Sequence, residues 1–216
     1  MPEIGEPFFY LVLYPGRVWD SLGEGSHYAM ALTIHSAVDV RCRTVQSLAM
    51  TQASNDAPFA WRTTGFCDEV FATNPSLPGA SCCTLPFAHP DSLGAEDLRA
   101  GETYSMSMRS ESVIATGRTT IPGPFSVHVV RTEDGWRAVW SRSPGAGGYS
   151  VTDGDFRVTL TQDSSLLLPA AGERFIHVEA LDENLYRYLQ GTIVRSGIDA
   201  GQGVFGAMWS PGPVSY

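Results

Sequence analysis

Along most of the chain, apolar residues recur at every second position over short runs, and Gly- or Pro-bearing turns separate the runs. That period is the mark of half-buried antiparallel strands. The run 8–14 is continuously apolar and ends at Pro15-Gly16. In 27–35, Tyr28, Met30, Leu32 and Ile34 fall on one face, and His27, Ala29, Ala31, Thr33 and His35 on the other. A third strand is expected over 44–51, and another where Tyr104, Met106 and Met108 alternate with polar residues. The segment 113–121 makes the next and stops at Pro122-Gly123-Pro124. Beyond it the style repeats. The segment 125–130 predicts a strand, Glu133-Asp134-Gly135 a turn, and Trp136, Ala138 and Trp140 one face of the following strand. A Gly-rich turn over 143–148 leads to Tyr149-Ser150-Val151. Phe156, Val158 and Leu160 share a face, as do Ile176, Val178 and Ala180. Asp182 is placed to cap one short helix reaching Gln190, and a final strand is expected over 204–209.

This succession predicts an all-β protein. Its 216 residues suit two immunoglobulin or fibronectin type III-like sandwiches of roughly 100 residues each. The expected domains are 1–122 and 123–216, joined at the Pro-Gly-Pro. The stretch from about 52 to 98 breaks the alternation, with only 66–71 reading as a strand, and is expected to be an irregular insert on the first sandwich. With 22 Gly and 14 Pro the chain is rich in turn formers.

Charge narrows the function. Asp and Glu number 23 against 14 basic residues, for a net charge of −9, which repels phosphate backbones and argues against a nucleic-acid partner. All the basic residues are arginine, so no lysine nucleophile or Schiff base is available. No stretch reaches the roughly 18 consecutive apolar residues of a membrane-spanning helix, so no transmembrane segment is expected. Met1 is followed by Pro2, Glu3 and Ile4, without the basic and apolar regions of a signal peptide.

Two pairs of segments carry a resemblance. Leu98-Arg99-Ala100-Gly101-Glu102-Thr103-Tyr104 with Thr119-Thr120-Ile121-Pro122 resembles an L-x-x-G-x-x-Y … T-x-I-P pair. That pair closes an immunoglobulin-like domain in bacterial envelope lipoproteins of the Bacteroidota and Gemmatimonadota. Tyr186-Arg187-Tyr188-Leu189 with Gly203-Val204-Phe205-Gly206-Ala207 resembles the ending of the same family, and Trp140, Tyr149 and the segment 174–180 are similar to the core of fibronectin type III domains. The resemblance spans most of 98–216 and, weakly, 5–13. It implies a sandwich fold and a periplasmic or outer-envelope, membrane-associated location, with no activity and no catalytic residues. It also implies a leader encoded upstream of Met1, since the family's lipidated cysteine is not present here.

Cys67, Cys82, Cys83 and His89 lack the paired C-x-x-C spacing of structural zinc sites, so no metal is expected. In an oxidising compartment a disulfide from Cys67 to Cys82 or Cys83 is expected, with Cys42 taking the remaining thiol. Gly201-Gln202-Gly203-Val204-Phe205-Gly206 matches G-x-G-x-x-G, but too few residues follow it for a βαβ unit. It is read as a glycine-marked entry into the last strand, and no cofactor is expected. Asp153-Gly154-Asp155 offers calcium-type oxygens near Asp134, and a turn explains it equally well. None of the familiar nucleophile or zinc-protease motifs occurs.

The expected function is therefore a non-enzymatic structural or protein-binding module, an accessory subunit of a larger membrane-bound complex. A carbohydrate-binding module using loop tryptophans (Trp19, Trp61, Trp209) is the first alternative. A hydrolase, in which a His and an acid converge on a nucleophile from distant positions, is the second. The expected partner contacts are the aromatics of the insert: Phe59, Trp61, Phe66, Phe71 and Phe87.

Overall fold

The computed structural model describes residues 8–14, 17–18, 26–27, 30–35, 45–54, 58–59, 62–64, 85–87, 98–110, 113–168, 175–191, 193 and 195–216. In chain order the first strands are β1 (Phe8–Leu13), β2 (Arg17–Val18), β3 (Ser26–His27), β4 (Met30–His35), β5 (Val45–Gln52) and β6 (Pro58–Phe59). Next come β7 (Arg62–Thr64), β8 (Leu85–Phe87), β9 (Thr103–Ser110) and β10 (Val113–Thr120). The second half holds β11 (Val127–Thr132), β12 (Gly135–Trp140), β13 (Ala146–Asp153), β14 (Val158–Thr161), β15 (Ser165–Leu167) and β16 (Phe175–Asp182). Helix α1 (Glu183–Leu189) follows directly, then β17 (Arg195–Ser196), β18 (Gln202–Trp209) and β19 (Val214–Ser215). The protein is all-β, as the alternation predicts, with one short helix among the described residues.

The largest sheet runs β14-β13-β16-β18-β1-β4, with β17 beside β18 and β19 beside β16. β1 lies at its interior, parallel to β18 on one side (Leu11 opposite Phe205) and antiparallel to β4 on the other (Leu11 opposite Leu32). Val12, Leu13 and Tyr14 are consecutive and all buried, so both faces of β1 are covered at that end, which fits a run that is apolar at consecutive positions instead of alternating. Strands N-terminal to the expected boundary at 122/123 thus share one sheet with strands C-terminal to it. β6, β7 and β8 lie inside the stretch expected to be irregular; the strand expected over 66–71 lies outside the described residues.

A second sheet, β11-β12-β15, packs face to face on β13 and β16. Between them lies a core in which every second residue of each strand points inward: Val127; Ala138 and Trp140; Tyr149 and Val151; Ile176, Val178 and Ala180. Tyr149 meets Trp140 and Phe125 edge-on, with ring centroids 5.5 and 5.7 Å apart. Its hydroxyl accepts the Ser143 amide at 2.9 Å, so the one polar end of the ring is satisfied in the core.

Helix α1 closes the opposite face. Leu185 and Tyr186 pack with Val12, Leu181 and Val204. The helix sits at backbone distance because glycines lie beneath it. A Cβ on Gly148 would come within 2.3 Å of the Tyr186 ring, and one on Gly206 within 2.7 Å of Leu185 Cβ. Asp182 caps the helix as its sequence position predicts, accepting from the Leu185 amide, and Gln190 closes the C-terminus.

A third sheet runs β10-β9-β5-β6. The two segments of the L-x-x-G-x-x-Y … T-x-I-P pair are neighbours in it: Tyr104 lies opposite Thr119, and the Thr103 and Thr120 hydroxyls meet at 2.8 Å. The Tyr104 hydroxyl accepts the Arg99 amide at 2.8 Å, closing the turn that Gly101 makes at φ 82°.

Candidate functional site

The outward face of β16 gathers the functional groups of the described residues. Strand alternation turns Ile176, Val178 and Ala180 into the core, so Phe175, His177 and Glu179 point the other way. α1 covers this face only near Leu181. Phe175, His177 and Glu179 remain half-buried.

At the Phe175 end stands Phe156, with ring centroids 5.7 Å apart and an edge-on angle of 66°. Phe156 is 76% exposed, and its backbone is held at φ 58°. A bulky residue at positive φ is disfavoured by roughly 1 kcal/mol or more. The turn holding it is built by Asp153, whose Oδ1 accepts the amides of Asp155 and Arg157, both at 3.0 Å. The Asp153-Gly154-Asp155 segment is therefore a turn whose carboxylate faces its own backbone. Val158, two residues on and 63% exposed, opens the edge strand β14. The shared face read for Phe156, Val158 and Leu160 is thus exposed at Phe156 and Val158, while Leu160 packs against the cluster under α1.

At the centre, His177 Nε2 meets Ser210 Oγ at 2.7 Å. Ser210 is 8% exposed and also accepts the Gly212 amide at 3.0 Å. Tyr14, at the end of β1, lies close enough for Ser210 and Glu179 to act on its phenol. Burial first, and the charge of Glu179 second, push the Tyr14 phenol up to about 12. Three neighbouring strands thus contribute to one polar cluster: Tyr14 follows β1, His177 lies on β16 and Ser210 follows β18.

A second polar knot lies where β10 meets α1 and β18. Asp182, 4% exposed, takes the Leu185 and Ala207 amides on Oδ1 at 2.9 and 3.0 Å and the Thr119 hydroxyl on Oδ2 at 2.5 Å. Burial nonetheless raises its pKa, because the cost of enclosing the charge outweighs these bonds. Asn184 donates to the Arg118 and Phe205 carbonyls at 2.9 and 3.1 Å. Near the surface, Asp199 accepts from the Thr116 hydroxyl and amide, each at 2.6 Å, and those bonds lower its pKa. These groups join elements; their acceptors are used up on the chain itself.

Of the residues expected to form sites, Cys42, Cys67, Cys82, Cys83, Trp61, Phe66 and Phe71 lie outside the described residues, as do His89 and Trp19. Phe59 and Phe87 lie on β6 and β8, opposite Met50 and Arg62. Trp209 packs on Phe125 at 5.4 Å, against the sandwich core. Gly203, at φ 113°, lies within β18, and no helix follows it. Among the described residues, no three His, Cys, Asp or Glu side chains group closely enough to hold a metal ion, and no helix is long and apolar enough to cross a membrane. An open depression of about 510 Å3 lies between the 142–147 turn and Glu183. The cluster of Tyr14, His177 and Ser210 has no sequence signature, because its members come from opposite ends of the chain.

Fold and site together define an all-β protein with a half-covered sheet face. No protein-family model matches the chain, and no curated protein matches it.

Proposed function

We propose that this chain is a non-enzymatic structural or protein-binding module of the cell envelope, an accessory subunit of a larger membrane-bound assembly. Within it, residues 123–216 form a fibronectin type III-like sandwich. The order β11-β12-β15 against β14-β13-β16-β19 around one alternating core supports that reading of the second half. The observation that carries the binding role is Phe156. A large aromatic held at positive φ and 76% exposed gains the fold little beyond its contact with Phe175, and with Val158 it places apolar surface at a sheet edge. Exposed aromatics presented by ordered turns are the usual anchors of protein interfaces. The envelope location rests on the resemblance of the 98–104, 119–122, 186–189 and 203–207 segments to envelope lipoproteins.

Fractionation of native cells followed by purification from mild-detergent membranes tests both parts. The protein should sediment with membranes and co-purify in fixed stoichiometry with another protein. A purely cytosolic, monomeric protein with fully reduced thiols contradicts the proposal.

One observation favours a second reading, hydrolysis: the 2.7 Å contact of Ser210 with His177 has the length of a nucleophile–base pair. Glu179, two residues along the same face, is the nearest acid on β16. Labelling of Ser210 by a fluorophosphonate, abolished in His177→Gln, would establish that reading in place of the first.

A further inference from the structure

β14 ends the largest sheet, and among the described residues no strand lies on its far side. The direction of its backbone groups follows from the turn before it. Asp153 uses both of its own on that turn: its amide donates to the Arg157 carbonyl at 3.1 Å, and its carbonyl accepts the Phe156 amide at 2.9 Å. Bonded and non-bonded pairs alternate along an antiparallel ladder. Thr159 and Thr161, opposite Val151 and Tyr149, therefore bond β13. Val158 and Leu160, opposite Thr152 and Ser150, turn their amides and carbonyls to the open edge. The strand Val158–Thr161 carries neither charge nor proline, two devices that ordinarily keep foreign strands off an edge.

The turn adds an anchor. Position 156 is the left-handed residue of a turn-plus-bulge hairpin, where glycine is favoured. Phenylalanine stands there at φ 58°, 76% exposed, at the head of the open edge. Val158, 63% exposed, follows on the strand itself. Apolar surface and free backbone groups thus coincide.

We infer that β14 receives an extended segment of a partner protein as an added strand, hydrogen-bonded through Val158 and Leu160 with Phe156 against its end; this rests on the protein-binding role proposed above. Charge selects the occupant. Asp155 and Asp163, both exposed, bracket the strand, and Arg157 is the one cation between them. A second copy pairing antiparallel, with Val158 opposite Leu160, would bring Asp155 of each chain toward Asp163 of the other, and two chains of net charge −9 repel. The segment that fits belongs to a different protein, alternates apolar and polar residues, and carries Lys or Arg at its ends.

The probe is a synthetic peptide of about seven residues, valine and threonine alternating between terminal lysines, added to the full isotope-labelled chain. Amide exchange is followed residue by residue by NMR. In the free chain the Val158 and Leu160 amides should exchange quickly, and those of Thr159 and Thr161 slowly. At about 1 mM peptide the two fast amides should slow by about tenfold or more. The same peptide with glutamate ends should leave them fast. Val158→Pro removes an outward N–H while sparing the bonds to β13, and should abolish the slowing at Leu160; Val158→Thr, which keeps the N–H, should retain it. If Val158→Pro does not fold, the comparison of lysine with glutamate ends on the unsubstituted chain decides. Val158 and Leu160 amides already slow in the free chain overturn the inference. So does a lysine-ended peptide that slows neither, equal slowing by both peptides, or slowing that survives Val158→Pro in a folded chain. If the inference fails while positions 156 and 158 still crosslink to a partner in cells, the binding role stands and only strand addition falls. Without such adducts, the binding role falls with it.

Discussion

Replacing Asp182 by alanine removes, in one step, the N-cap of α1, the acceptor for the Ala207 amide inside β18 and the acceptor for the Thr119 hydroxyl of β10. The cap alone is worth about 1 kcal/mol. A buried amide left without a partner costs about 1–3 kcal/mol. Because the three bonds share one side chain they do not add fully, and the expected loss is about 3 kcal/mol. Asparagine gives a different result. Both amides bind the same oxygen, Oδ1, which asparagine keeps, and its Nδ2 can donate to Thr119 Oγ1 once that hydroxyl turns. Asp182→Asn should therefore cost less than about 1 kcal/mol, within the ordinary net worth of one hydrogen bond.

The pH dependence separates the two effects. The folded pKa of Asp182 lies above its unfolded value, so the folded chain binds this proton more tightly. Its contribution to stability is fully present below the unfolded pKa and is lost as pH rises through the folded one. The stability of the unsubstituted protein relative to Asp182→Asn should thus fall as pH rises from about 4. Urea unfolding of the three proteins across that range measures both quantities. Equal damage from Asn and Ala at neutral pH, or a relative stability that climbs with pH, refutes the reasoning.

Asp199 should behave with the opposite sign. Its pKa is lowered by Thr116, so its contribution is present above the unfolded value and lost as pH falls through the folded one, and Asp199→Asn should flatten that acid limb in thermal melts. Gly148→Ala forces a methyl to within 2.3 Å of the Tyr186 ring and should cost about 1–3 kcal/mol in chemical unfolding, with loss of α1 protection in hydrogen exchange. Trp140→Ala should cost about 3–5 kcal/mol. Trp140→Phe should cost well under half of that by the same unfolding assay, because it also removes a buried indole N–H that has no hydrogen-bond partner.

What the sequence makes legible is local. The alternation at Trp136-Ala138-Trp140 and Ile176-Val178-Ala180 identifies two walls of the core, because one pleated face of each strand meets the opposing sheet. Asp182 followed by Glu183 reads as a helix start, since a short acceptor and a first-turn acid answer the free amides there. β1 is recognisable as a strand, yet its parallel partner β18 lies at the other end of the chain, and pairing over that span leaves no local trace. β15 and β19, three and two residues long, fall below the length at which alternation can be read. The polar cluster was hidden for a related reason. His177 and Ser210 are 33 positions apart and Tyr14 is farther still, so only the neighbouring ends of β1, β16 and β18 unite them. Phe156 misled through its apolar character: the pattern assigned it to a strand face, while the Asp153 turn lifts it into solvent.

Photo-crosslinking in intact cells tests the binding role most directly. A benzophenone amino acid replaces Phe156 or Val158 in one pair of proteins and the exposed Arg195 in a control. The account predicts a single discrete adduct to one envelope protein from positions 156 and 158, and none from 195. Adducts equal at all three positions, or none at 156 and 158 in a correctly folded and localised protein, would contradict it.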